Sequence, residues 1–142
     1  MINIGTERIY NKHFEGRDDV IKWDVQPITN SQLVQINFLS TNSPNKQGIF
    51  LRTDKGIEAN GQLHPGIYLW EDTAPREVII KCFTENGWLS IYNIHHNGRN
   101  QYSQGYSAGM LLQEEGDTLV YHCNDVGLET NFDKLVFSVK RL

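Results

Sequence analysis

Apolar residues recur along this chain in short windows, and in most windows they alternate with polar ones. Ile21, Trp23 and Val25 alternate with Lys22 and Asp24. Val34, Ile36 and Phe38 alternate with Gln35 and Asn37. Successive side chains of a strand point to opposite faces, so a period of two predicts strands with one buried face. Further windows lie at 49–52, 67–70, 78–83, 88–94, 110–112, 118–123 and 135–139, all rich in β-branched and aromatic residues. No window sustains a helical stripe. The expectation is one all-β domain over residues 1–142, an antiparallel β-sandwich of jelly-roll type with about eight to ten strands. A short strand around Ile57 and an edge strand at Arg8-Ile9-Tyr10 would add to it.

Turn chemistry punctuates the windows. Asn86-Gly87 stands between two strong ones and predicts a tight type I′ hairpin, because that turn needs positive φ at both central residues. Glu115-Gly116-Asp117 predicts a second hairpin. Asn42-Ser43-Pro44-Asn45 and Asp54-Lys55-Gly56 read as ordinary turns. Gly48-Ile49-Phe50-Leu51 is echoed by Gly66-Ile67-Tyr68-Leu69, as two similar strands of one sheet would be. Leu135, Phe137 and Val139 share a face and are assigned to the core. So is Trp23, with Ile21 and Val25, while Trp88 is expected to cap one end of it.

Composition narrows the class. Apolar residues make up 39% and charged residues 21%, enough for a core and too little charge for a disordered chain. The net charge of −4 and the lack of any basic run beyond Lys140-Arg141 argue against nucleic acid as a partner. No apolar stretch approaches the roughly 20 residues of a membrane-spanning helix. The start has no basic segment followed by an apolar run, so the expectation is a soluble, cytoplasmic protein without a membrane partner. Cys82 and Cys123 sit in apolar windows and read as buried free thiols.

Candidate chemistry concentrates in the polar segment 93–109. His95, His96, Asn97, Arg99, Asn100, Tyr102 and Tyr106 offer imidazoles, amides, a guanidinium and phenols, groups that suit a polyhydroxylated ligand. Trp70 closes a strand beside the polar turn Glu71-Asp72-Thr73-Ala74-Pro75 and could stack on such a ligand as readily as plug the core. The competing reading of the segment is a solvated loop whose Asn and Gly residues serve backbone turns. His95 and His96 are adjacent and should face opposite ways, so they do not suggest one metal ion. Asn124, Asp125 and Asp133, with Glu129 between, nominate an oxygen-ligand site for calcium, although Asp and Asn also serve turns. Neither a nucleophile elbow nor an opposed carboxylate pair is recognisable, so no catalytic residue is assigned. Three features would make a site by meeting at one end of the fold: the 93–109 segment, Trp70, and Asn124-Asp125.

The segments Leu69-Trp70-Glu71-Asp72-Thr73-Ala74-Pro75, Gly109-Met110-Leu111, Tyr121-His122-Cys123-Asn124-Asp125 and Phe132-Asp133-Lys134-Leu135-Val136-Phe137 resemble small uncharacterised bacterial β-sandwich proteins. More loosely, the closing strand and the strand count resemble jelly-roll carbohydrate-binding modules. These resemblances imply a fold and transfer no binding residue. The functional expectation is a non-catalytic binding module, taking a carbohydrate or similar polar ligand through the 93–107 loop. The alternative is a structural or protein–protein interaction protein that self-associates as a homo-oligomer, without a small-molecule ligand.

Overall fold

The computed structural model describes residues 5–14, 16–103, 108–125 and 131–142. Among them are eleven strands and no helix: β1 (Ile9–Tyr10), β2 (Ile21–Pro27), β3 (Gln32–Thr41), β4 (Lys46–Ala59), β5 (Gln62–Trp70), β6 (Glu77–Cys82), β7 (Trp88–His96), β8 (Gln101–Ser103), β9 (Gly109–Glu115), β10 (Thr118–Asn124) and β11 (Leu135–Arg141). Every predicted window became a strand. The windows at 49–52 and Ile57 are halves of one long strand, β4. Its register against β5 shifts between Arg52 and Ile57. There the Thr53 hydroxyl donates to the Gly56 carbonyl and accepts from the Gly56 amide. The Asp54-Lys55-Gly56 turn is therefore a bend inside a strand.

The sandwich is corrected to a barrel. Hydrogen-bonded neighbours run β2-β9-β10-β11-β3-β6-β4-β7, and β7 pairs back onto β2, all antiparallel. This closes an eight-stranded ring, with β1, β5 and β8 attached outside it on β2, β4 and β7. A sandwich and a barrel both bury one face of each strand, so their alternation is the same. Only the pairing partners tell them apart.

The lumen is filled by Ile36, Ile49, Leu51, Ile80, Leu89, Ile91, Met110, Leu135, Phe137 and Val139, all essentially buried. At roughly 25 cal/mol per Å² of apolar surface removed from water, each contributes on the order of 2 kcal/mol. Leu135, Phe137 and Val139 thus stand where the alternation put them, and Cys82 and Cys123 are buried free thiols. Burial raises both thiol pKa values, that of Cys82 to about 12, so neither is a nucleophile at neutral pH.

The ring is thinnest between β2 and β9, which share one residue pair, Ile21 with Met110. A polar cluster lies in the lumen near this seam. Asp24, fully buried, accepts from Arg8 Nε (2.6 Å), the Tyr121 hydroxyl (2.5 Å), the Gln26 amide (3.0 Å) and the Val25 backbone N–H (2.9 Å). Burial opposes the Arg8 charge, but the Asp24 bond and attraction outweigh it and raise the guanidinium's pKa. Burial first, and then the Asp24 charge, push the Tyr121 phenol well above its ordinary value.

Two local expectations change. Asn86-Gly87 joins β6 to β7, which do not pair, so no hairpin forms there. Only Gly87 of that pair has positive φ, and Asp54 accepts from the backbone N–H groups of Glu85 and Asn86. The I′ hairpin is instead at Asn60-Gly61, where both φ values are positive (52° and 75°) and Ala59 pairs with Gln62. Trp23 also leaves the core. Ile21 pairs with Met110, yet Asp24 pairs with Ile91 and Gln26 with Leu89. A register irregularity opposite Ile9-Tyr10 lies between and exchanges the faces. Trp23 therefore packs outside the barrel on Tyr92, with ring centroids 4.9 Å apart. That contact begins a row of rings across four strands, Trp23, Tyr92, Phe50 and Tyr68.

Candidate functional site

Strand ends bring the site together at one mouth of the barrel. β4 begins with Lys46 and Gln47, which pair with His96 and His95 at the end of β7. β5 ends with Trp70, opposite Gly48 of β4. Trp70 lies directly against that glycine: a Cβ at Gly48 would come within 2.8 Å of the indole and 2.7 Å of the Leu69 carbonyl. The same device recurs at Gly66, where a Cβ would meet the Phe50 ring at 2.8 Å. The echoed Gly-Ile-aromatic-Leu segments are thus neighbouring strands, each glycine accommodating a ring from the other.

The two histidines face opposite ways, as adjacent strand residues must. His96 lies outside, edge-on to Trp70 at 6.3 Å between centroids. His95 lies inside, 4% exposed and stacked with Tyr102 at 5.5 Å. Burial lowers the His95 pKa, and the nearby Asp125 charge acts in the opposite direction. Its Nδ1 has no hydrogen-bond partner among the described residues.

Among its described residues the expected long loop is largely strand and tight turn. β8 pairs with β7, leaving 97–100 as a tight turn. Asn97 is spent on that turn, since its Oδ1 accepts from the Arg99 and Asn100 backbone N–H groups. His96 Nδ1 accepts from the Gly98 N–H, and Asn100 donates to the Tyr102 hydroxyl. Arg99, Asn100 and Tyr102 are exposed. Tyr106 lies outside the described residues, as does Glu129.

Asn124 and Asp125 reach the same mouth. The Asn93 amide donates to the Asn124 carbonyl at 3.0 Å. Asp125 Oδ2 accepts from Ser43 Oγ (2.5 Å), Gln47 Nε2 (2.8 Å) and Asn45 Nδ2 (3.3 Å). Asp133 is engaged elsewhere, by the Asn42 amide at 2.7 Å and Lys134 at 3.7 Å. Of the calcium set expected from Asn124, Asp125 and Asp133, the two carboxylates each accept from side-chain donors of the 42–47 stretch. Among the described residues no three His, Cys, Asp or Glu side chains could hold a metal ion. The Asp125 oxygen faces hydroxyl and amide donors, which tie the 43–47 segment to the barrel.

Beside Trp70 that segment and the turn after β5 enclose a cleft of about 290 Å³, lined by Ser43, Asn45, Lys46, Gln47, Glu71 and Asp72 among others. The turn is set by the Thr73 and Ala74 amides donating to the Trp70 carbonyl, and it docks through Glu71 N–H to the Gln47 carbonyl. Lys46 Nζ lies over the Trp70 ring, 4.9 Å from its centroid and 3.6 Å from Asp72 Oδ1. The sequence reading missed Lys46, Gln47, Glu71 and Asp72 as site residues. Glu71 and Asp72 carried a signal in their adjacency to Trp70, while Lys46 and Gln47 come from a strand distant in sequence. A larger groove of about 400 Å³ runs along the β2–β9 seam, but the Arg8 that lines it is committed to Asp24.

No known family matches the chain, and no curated protein matches it. Among solved structures the chain is similar to the Chromobacterium violaceum lectin CV2L, solved in complex with alpha-methyl-fucoside. The TM-score is 0.42 and the identity 9%, over 83% of this chain and 93% of the lectin. A likeness this distant bears on neither ligand nor site, which rest on the geometry above.

Proposed function

We propose that this protein is a non-catalytic binding module for a carbohydrate or similarly polar ligand, held at the barrel mouth beside Trp70. The observation that carries the reading is convergence. Trp70, His96 and the Asp125-anchored 43–47 segment come from parts of the sequence far apart, yet His96 meets the indole edge-on, Lys46 covers its face, and the segment lines a polar cleft with Glu71 and Asp72, the residues that follow Trp70. A half-buried indole beside convergent amides, hydroxyls and carboxylates is what a sugar ring requires, with an apolar face to cover and hydroxyls to bond. A glycan array followed by titration calorimetry tests it. Binding to at least one sugar is expected, with Trp70→Ala weakening it about tenfold or more while circular dichroism stays unchanged. Absence of binding to any sugar would refute the reading.

A second reading is self-association, favoured by one observation. Leu33 and Ile79 are 44% and 53% exposed on the paired strands β3 and β6, and Ile79 is opposite Gln35, which shares Leu33's face. Light scattering at high concentration should then detect a dimer that Ile79→Lys dissociates. A strict monomer would discard this reading.

A further inference from the structure

We propose that the sugar taken at this cleft is an amino sugar with a free ammonium group, preferred over neutral and acidic sugars. The inference rests on the carbohydrate reading and deepens it. Its first support is a cation already in place. The Lys46 ammonium occupies the Trp70 face and is paired with Asp72. An aromatic face with a carboxylate at its side is an arrangement that selects cations, because the ring quadrupole and the anion attract the same charge. Here the chain supplies that cation itself from a partly exposed lysine with a long side chain, so a ligand ammonium can take its place while Lys46 turns to solvent.

The second support is the balance of charge and of hydrogen-bonding groups. Glu71 and Asp72 line the cleft against one cation among the described residues, Lys46. A uronic acid would bring a third carboxylate to them, and like charges brought together are strongly disfavoured. Gln47 adds an independent pointer. It lines the cleft, is 3% exposed, and has its Nε2 committed to Asp125 and to the Asn45 carbonyl. Donation to a carboxylate fixes which end of the amide is nitrogen. The atom left over, Oε1, is therefore an acceptor, and it has no hydrogen-bond partner among the described residues. Carboxylates and a buried amide oxygen without a partner among the described residues favour a ligand rich in donors, which an ammonium with neighbouring hydroxyls is.

Titration calorimetry on the full chain with glucosamine, N-acetylglucosamine and glucuronic acid decides it, at a pH where the glucosamine amine is protonated. Glucosamine should bind about tenfold more tightly than its acetylated form, which keeps the ring and loses the charge. Asp72→Asn should erase that preference, and Lys46→Met should strengthen glucosamine binding by removing the internal competitor. Equal affinity for glucosamine and N-acetylglucosamine would overturn the inference and leave carbohydrate binding standing. Failure of all three, with a blank glycan array, would overturn both.

Discussion

Among the described residues two carboxylates lie buried in this barrel, and they are held in different ways. Asp24, near the β2–β9 seam, takes a guanidinium, a phenol, an amide and a backbone N–H. Asp125, at the mouth, takes a hydroxyl and two side-chain amides of the 43–47 segment. The Asp24 donors come from three places in the chain, Arg8, the neighbouring Val25-Gln26 and Tyr121, and draw the thin seam shut. These Asp125 donors come from one short stretch, which also lines the cleft beside Trp70. One carboxylate thus closes the container, while the other shapes its opening. A buried charge does not mark a binding site by itself. What separates the two is whether the groups satisfying the charge are also the ones that meet a ligand.

Substitution should separate them sharply. Asp24→Asn removes the partner of a buried ion pair and should cost about 3 kcal/mol in urea unfolding, the low end for such pairs because Arg8 is one-third exposed. Asp125→Asn keeps one acceptor oxygen and should cost about 1 kcal/mol, while weakening ligand binding far more than Asp24→Asn does. Equal losses of stability would break the comparison. The smallest effect is in pH. Burial lowers the His95 pKa, so the unfolded chain binds more protons than the folded one below the ordinary histidine value of about 6.5. Stability should therefore fall as pH drops through that value and stop falling, on this account, below the folded pKa. In His95→Gln this part of the slope should vanish. Melting curves between pH 7 and 5 with the same slope in both proteins would remove His95 as the cause.

The strands were legible because alternation is local. Val34, Ile36 and Phe38 announce their face within five residues. Closure was not legible, because the pairing of β7 with β2 joins segments far apart and leaves no mark on either. Asn-Gly shows the same limit: at 60–61 its flanking residues pair and it turns a hairpin, whereas at 86–87 the strands it joins find other partners. Trp23 was misassigned because one extra residue on β2 exchanges faces, and a bulge has no composition of its own. At the site, the aromatic and histidine positions were readable as unusual polar chemistry. Lys46 and Gln47 were not, since their role comes from lying across the sheet from His96 and His95. The spacing did imply correctly that the two histidines would part company, one inward and one outward.

The glycine under Trp70 has a consequence for descent. A side chain at Gly48 is excluded twice, by the indole at position 70 and by the Leu69 carbonyl, 2.7 Å from a Cβ. A lineage that gave up the tryptophan would remove only the first obstacle, because the carbonyl belongs to the backbone of the paired strand. Among relatives of this chain, position 48 should therefore stay glycine even where no ring stands at the mouth.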